Sequence, residues 1–211
     1  MRSPARKLPP LQGPNGIAKP VRPRTSARLR RLLGSPIASP KQRPLHGVMD
    51  ALDPEPLLRF LHEQGVAHIL IGGVAVAAHG YRRPSKDLDI VPSAEPANLA
   101  RLAQALARIH VQPAELGDFE ADEVPADPTR PEDLALGGNF RLETDLGALD
   151  VMQWISGIDV DDLYVELDRD ALTFWLDDVP VRYCGLSHLR AMKLAAGRPR
   201  DVDDLQHLPA A

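Results

Sequence analysis

The sequence predicts an α/β (α+β) domain: a mixed β-sheet flanked by helices, with a helical segment at its C-terminal side. Three observations lead there. Helix-period and strand-period segments alternate from residue 53 onward, a two-strand hairpin breaks the alternation near residue 145, and two helical patterns follow one another after residue 187. Alternation favours crossover connections, whereas a hairpin requires antiparallel pairing, so the sheet is expected to be mixed.

The elements follow in order. "DPEPLLRFLHEQGV" (from Asp53) has an acidic cap, a proline in the first turn and apolar residues at helical spacing, and Gly65 stops it. "AHILIGG" is a short buried strand, and "VAVAAHG" has the small residues of a helix that begins at the glycines. Gly80 to Ser85 reads as a turn, and "KDLDIVP" as a strand closed by Pro92. "EPANLARLAQALARI" repeats apolar residues at i, i+3, i+4 and i+7, which predicts an amphipathic helix. Residues 113–133 carry four prolines and eight acids against one arginine, an exposed acidic loop. "NFRLETDLGALDVMQW" reads as a hairpin turning at Asp145–Gly147, and "ALTFWL" with "VPVRYC" as a second strand pair around Asp177–Asp178. Ser187 is expected to cap a helix "HLRAMKLAA" ended by Gly197, and Pro199 to open a last helix, "PRDVDDLQHL".

Composition bounds what such a domain can be. No apolar run in the 211 residues approaches the ~18 needed to span a bilayer, so no membrane partner is expected. A single cysteine, Cys184, excludes an internal disulfide and a multi-cysteine zinc site and fits a cytoplasmic location, as does an N-terminus without an apolar leader. The formal charge of −4 hides a division. Residues 1–45 hold eleven Lys or Arg, nine Pro and no acid, leaving 14 basic residues against all 29 acidic ones in the remainder, a net −15. Residues 1–48 are therefore read as a disordered basic tail, because they cannot bury enough apolar surface to offset their ordering entropy. Three origins stay open for it: a mis-assigned start before Met49, an RNA-contacting arm, or a targeting segment. The folded domain is expected over residues 49–208.

The stretch "IGGVAVAAHGYRRPSKDLDIV" (Ile71–Val91) raises the chemical question. Side chains alternate across a strand, so Asp87 and Asp89 share one face, about 6.6 Å apart along it, while Leu88 and Ile90 enter the core. Two carboxylates held together repel, by about 4 kcal/mol at 4 Å and an effective dielectric of 20, so the pair either shares a proton or binds a cation. A hard divalent cation such as Mg²⁺ (or Mn²⁺) suits oxygen ligands and leaves positions for substrate phosphates. Asp150, inside the apolar strand "GALDVMQ", is the candidate third carboxylate, provided its strand lies beside that of Asp87 and Asp89. Paired instead to an arginine, Asp150 would be structural. Gly72 and Gly73 sit where a strand hands over to a helix, a place where backbone N–H groups favour an anion; close helix packing explains them equally well. Neither a G-x-x-x-x-G-K-[ST] loop nor a G-x-G-x-x-G fingerprint is present, which excludes ordinary P-loop chemistry and argues against a dinucleotide fold.

Gly-Gly, thirteen intervening residues and then Asp-x-Asp on a strand resembles the signature of the nucleotidyltransferase superfamily of polymerase-β-like fold. "LRAMKLAAGRPRDVDDL" looks like the Lys-x-x-Ala…Arg-x-x-Asp-x-x-Asp segment of the AbiEii-type and DUF6036-like minimal nucleotidyltransferases, and "NFRLETDLGALDVM" like their hairpin with the third carboxylate. The resemblance covers roughly residues 50–208. It implies a nucleotidyltransferase fold in which Gly72 and Gly73 hold a triphosphate, Asp87 and Asp89 bind Mg²⁺, and Asp150 completes the metal set and helps activate an acceptor hydroxyl. Lys193 would contact phosphate or nucleotide with Asp201 or Asp204 supporting it, and Arg83, Ser85 and Arg198 would join the nucleotide site. One departure is Gly73, where many relatives carry serine: the backbone N–H remains and the hydroxyl does not.

The resemblance further implies a Mg²⁺-dependent transfer of a nucleoside monophosphate from an NTP, with pyrophosphate released, in a toxin–antitoxin or defence context. The acceptor would be RNA, such as the 3′ end of tRNA, or a hydroxyl of a partner protein from a neighbouring gene. A body at −15 repels a polyanion and suits the protein acceptor better. The alternative is a catalytically weak nucleotide- or partner-binding module that keeps the fold. Bland roles accompany the sharp ones: Arg83 in a solvated turn, Arg198, Arg200, Asp201 and Asp204 in helix-end ion pairs, His79 as a packed residue and Cys184 in the core.

Overall fold

A computed structural model describes residues 51–114 and 126–210. The basic tail expected over residues 1–48 and most of the acidic loop, residues 115–125, lie outside the described residues. Among the described residues the elements are, in order, α1 (Glu55–Glu63), β1 (His68–Leu70), α2 (Gly72–Ala78), β2 (Asp87–Pro92), α3 (Pro96–Arg108), β3 (Gln112–Pro113), α4 (Pro131–Ala135), β4 (Asn139–Glu143), β5 (Ala148–Met152), α5 (Leu163–Asp168), β6 (Leu172–Leu176), β7 (Val179–Tyr183), α6 (Leu186–Ala196) and α7 (Pro199–His207).

The strands form one seven-stranded sheet in the order β3-β4-β5-β2-β1-β7-β6. β2 pairs parallel with β5 and β1 parallel with β7, while β1–β2, β3–β4, β4–β5 and β6–β7 are antiparallel. The fold is thus a mixed α/β sheet flanked by helices, as the alternation and hairpins predict. Both expected hairpins are present. β4 meets β5 through a tight turn in which the Gly147 N–H bonds the Thr144 carbonyl at 3.2 Å.

Period-2 alternation divides the core. Leu88 and Ile90 of β2, Leu149 and Val151 of β5 and Leu70 of β1 face a cluster with α1 (Leu57, Leu58, Leu61) and α3 (Leu99, Leu102, Leu106). Ile69 and Val91 face the opposite side and pack with α2 (Ala75, Val76), α5 (Leu163, Leu167) and α6 (Leu189, Met192), where Cys184 is also fully buried. Asp87 and Asp89 share parity with Val91, and Asp150 with Met152, so all three acids lie on the α2–α5–α6 face. On the other face, Asn98 of α3 is fully buried and ties helix to sheet. Its Oδ1 accepts from the Ala67 N–H at 2.8 Å, and its Nδ2 donates to the carbonyls of Ala67 and Ser93, each at 2.9 Å.

Some expectations need correction. Ser187 does not cap α6: the helix starts at Leu186 with Gly185 as its N-cap and no side-chain cap. The chain is held in the sheet as far as the Cys184 N–H, which bonds the Leu70 carbonyl at 2.9 Å, so the helix opens on the next extended residue. The segment 113–133 is not loop at its ends, since Pro113 closes β3 and Pro131–Asp133 begin α4. Proline at the first helical position and two acids in the first turn suit that start. No described helix is long and apolar enough to cross a membrane.

Candidate active site

Register places the acids. In the parallel β2–β5 pair Asp89 stands opposite Asp150 and Asp87 opposite Ala148. Neighbouring strands lie about 4.8 Å apart, so one carboxylate from each strand projects from adjacent positions, with Asp87 two residues along. The three are coupled electrostatically. Burial, then the nearby charges of Asp87 and Asp150, push the Asp89 carboxyl up to about 7. Lys193 and the Gly73 N–H pull the other way. Asp87 accepts from the Ser85 hydroxyl at 3.3 Å. Asp150 has Arg141 Nε at 3.8 Å from the facing strand, so both its metal-site and arginine-paired placements are represented. Among the described residues no three His, Cys, Asp or Glu side chains are gathered closely enough to hold a metal ion as they stand. The donor chemistry nonetheless fits a hard cation: only carboxylate oxygens are offered, and the mutual repulsion that raises Asp89 is what a cation would relieve.

The glycine pair lies against these acids. A backbone bond from the Ile71 N–H to the Asp89 carbonyl (3.1 Å) sets the start of α2 beside Asp89. Gly72 has φ +59°, and a Cβ there would overlap the Asp89 carboxylate, so only glycine permits this contact. At Gly73 a Cβ would overlap the Ser85 hydroxyl. The space a serine side chain would take at residue 73 is thus already filled by a hydroxyl from the turn before β2. The Gly73 N–H itself faces Asp89.

A buried ion network joins α6, α7 and that turn. Lys193 Nζ lies 2.8 Å from Asp201 Oδ1 and 2.9 Å from Asp204 Oδ2. Arg83 forks onto Asp204, and Arg198 Nε lies 3.1 Å from Asp201 Oδ2. Asp204 is fully buried. Burial alone would raise its pKa, but the hydrogen bonds and charges of Arg83 and Lys193 outweigh it and hold the carboxyl below the usual range. Three cations meet two anions here, and Lys193, buried, leaves positive charge beside Asp89. Lys193 thus lies on the inner side of α6 with its ammonium between the carboxylates of Asp201 and Asp204.

A cleft of about 230 Å³ opens on this edge. Gly72, Asp89, Lys193, Arg198 and Asp201 line it, together with apolar residues that include Met152, Trp154 and Met192. Gly73, Arg83 and Ser85 instead line a separate pit of about 20 Å³. The structure thus brings Gly72, Asp89 and Lys193 together and sets Arg83 apart, its N–H groups given to Asp204 and the Pro84 carbonyl. Arg200 likewise binds the Pro84 carbonyl at 2.6 Å. His79 packs as expected, with Nε2 2.9 Å from the Cys184 carbonyl and its ring against Tyr183.

Sequence reasoning missed the apolar wall. Trp154 reads as a continuation of β5, yet the strand ends at Met152 and the indole is 63% exposed. The available signal was its distance from Asp150: four residues along, on the same chain segment as a candidate catalytic acid.

No family model matches the sequence, and no curated protein matches it. Among solved structures, the chain is similar to a Thermotoga maritima protein provisionally described as a nucleotidyltransferase. The two are 15% identical, the alignment covers 76% of this chain and 94% of that one, and the TM-score is 0.46. So loose a likeness transfers neither residue roles nor activity.

Proposed function

We propose that the chain is a Mg²⁺- or Mn²⁺-dependent nucleotidyltransferase of the polymerase-β-like superfamily, and that it moves a nucleoside monophosphate from an NTP to a hydroxyl acceptor. The observation that supports this best is the β2–β5 register, which sets Asp89 opposite Asp150, while Asp89 itself lines a cleft together with buried Lys193. Asp87 and Asp89, with Asp150, would hold the metal, which when bound neutralises phosphate charge and lowers the barrier to attack at phosphorus.

The chain's own groups account for the rest. Gly72, lacking a Cβ, lets Asp89 reach the cleft beside the start of α2. Lys193, held by Asp201 and Asp204, offers a preorganised cation to the triphosphate, and Arg198 at the cleft rim adds a second. The acceptor oxygen attacks the α-phosphorus, its proton passes to the Asp150 carboxylate, and the bond to the β-phosphate oxygen breaks to release pyrophosphate. In-line positioning and charge stabilisation supply most of the rate. The acceptor is either RNA, such as a tRNA 3′ end, or a partner protein in a toxin–antitoxin or defence setting; the acidic body favours the protein.

A second reading, a catalytically weak nucleotide-binding module, is favoured by the Gly73 N–H, which is turned to Asp89 rather than left to a phosphate. Incubation with each α-labelled NTP, Mg²⁺, and either total tRNA or the product of the adjacent gene separates the two. Transfer that disappears in Asp89→Asn supports the enzyme, whereas nucleotide binding with no transfer to any acceptor supports the module.

A further inference from the structure

The cleft beside Asp89 is lined by two chemical kinds of group. Gly72, Asp89, Lys193, Arg198 and Asp201 offer polar and charged atoms; Met152, Trp154, Ile155 and Met192 offer apolar surface. We propose that the apolar lining seats the base of the nucleoside triphosphate, with the Trp154 indole as its stacking face. This rests on the nucleotidyltransferase reading and assigns to it a base subsite.

Three features carry the assignment. First, the indole is a large apolar group left 63% exposed, and it lies inside a concavity rather than on a flat face. A flat heterocycle tethered to phosphates fits a cleft lined by both an exposed indole and the cations Lys193 and Arg198.

Second, the backbone under the indole is held from several directions. The Asn139 side chain bonds it three times: Nδ2 donates to the Trp154 carbonyl at 2.9 Å, and Oδ1 accepts from the N–H groups of Gln153 and Trp154 at 2.9 and 3.2 Å. Gln153 Nε2 donates to the Leu134 carbonyl at 3.0 Å. Beyond the tryptophan, Ile155 bridges to Ile158. Gly157, with φ +92°, lies so close to α6 that a Cβ would overlap Ala195 and the Ala191 carbonyl. A backbone held this firmly has lost its own ordering entropy before any ligand arrives, which lowers the cost of stacking on the side chain it carries.

Third, the acid and the indole share one chain segment. Asp150 sits in β5 and Trp154 two residues past its end, with Asn139 paired opposite Met152 in β4. The β4–β5 hairpin therefore sets the spacing between reacting phosphate and base as a single rigid piece.

The test uses the full chain with two probes. The protein has two tryptophans, Trp154 and Trp175, so Trp175→Phe leaves the cleft indole as the sole source of tryptophan emission. With Mg²⁺ present, ATP, GTP, CTP or UTP is expected to quench its fluorescence, and inorganic tripolyphosphate to bind without quenching. In the otherwise unaltered chain, Trp154→Ala is expected to weaken NTP binding by calorimetry roughly five- to a hundredfold and to leave tripolyphosphate affinity unchanged. Trp154→Tyr is expected to restore most of the loss. Unchanged melting of each variant shows that the fold persists. NTP affinity that survives Trp154→Ala, with no quenching in the Trp175→Phe chain, overturns the base assignment and leaves the nucleotidyltransferase reading standing. Loss of transfer to an RNA acceptor with NTP affinity intact also overturns it, by moving the indole to the acceptor side. If neither NTP nor tripolyphosphate binds the unaltered chain, the functional reading fails and the assignment with it.

Discussion

Arg83 and Asp204, 121 residues apart in sequence, form a two-pronged ion pair, with Nε 2.5 Å from Oδ1 and Nη2 2.7 Å from Oδ2. The pair fastens the turn before β2 to α7, and so links the Asp87–Asp89 strand to the helix that supports Lys193. Removing the arginine leaves a fully buried carboxylate with Lys193 as its remaining close cation. Arg83→Met is expected to cost about 3–5 kcal/mol in urea unfolding, and Arg83→Lys less, because charge persists but the fork does not. Arg83→Met with Asp204→Leu is expected to recover part of the loss.

Metal-free stability should carry a signature of Asp89. Its folded pKa, about 7, lies above its ordinary value of 3.8. The folded state therefore binds the proton more tightly, so this group's contribution is fully present below pH ~4 and is lost as pH rises through about 7. Asp204, depressed in the folded state, acts with the opposite sign: its contribution is present above the ordinary carboxylate range and is lost as pH falls through its folded pKa. Melting of the metal-free protein from pH 4 to 8 is expected to show the Asp89 decline, and Asp89→Asn to flatten it. Stabilisation by added Mg²⁺ should grow over the same interval, because the metal requires the ionised carboxylate. A decline unchanged in Asp89→Asn would show that another group causes it.

Transfer activity should fall roughly 10²–10³-fold in Asp150→Asn, as for removal of one electrostatic contributor from a preorganised site. NTP affinity should change far less. Single-turnover assays beside binding measurements distinguish this from a general loss of structure.

Gly72→Ala probes the contact between α2 and Asp89. The new methyl meets the carboxylate at a backbone angle that disfavours side chains, so a loss of about 2–3 kcal/mol and of activity is expected. Gly197→Ala, at the same φ (+59°) but with the nearest neighbour of a new Cβ at 3.8 Å, carries the backbone strain alone and serves as the control. Equal losses in the two would show that the Asp89 contact adds nothing.

Asn98→Ala tests the far side of the sheet. It strands the Ala67 N–H and the Ser93 carbonyl, while the Ala67 carbonyl keeps its bond from the Ser93 N–H at 3.0 Å, and should cost about 2–4 kcal/mol. Metal affinity, read at the opposite face, should be unaffected.

How much of this was legible in the sequence depends on the range of the interaction. Strand period alone told which side chains share a face, so Asp87 and Asp89 were readable as a pair. That Asp89 meets Asp150 was only conditional, because parallel β2–β5 pairing joins strands some sixty residues apart and no local pattern encodes strand order. α5 has six residues, too few for an apolar repeat to stand out, and was not anticipated. Ser187 carried a cap signal, but the preceding strand ran on to Cys184 and the helix opened before the serine. Trp154 and Asn139 escaped because an exposed aromatic at a strand end looks like the strand continuing; the two bonds between them, and the third from Asn139 to Gln153, exist only after β4 and β5 are paired.

The buried thiol of Cys184 has a practical consequence. It is the chain's single cysteine, wholly enclosed beneath α6, and its pKa is pushed up to about 12, chiefly by burial. A closed molecule offers an alkylating reagent neither access nor thiolate. Labelling therefore waits for the layer under α6 to part from the sheet, and its rate clocks that parting. Because Lys193 belongs to the same helix, a ligand that clamps the cleft should slow the clock, giving a readout of occupancy that needs no knowledge of the acceptor.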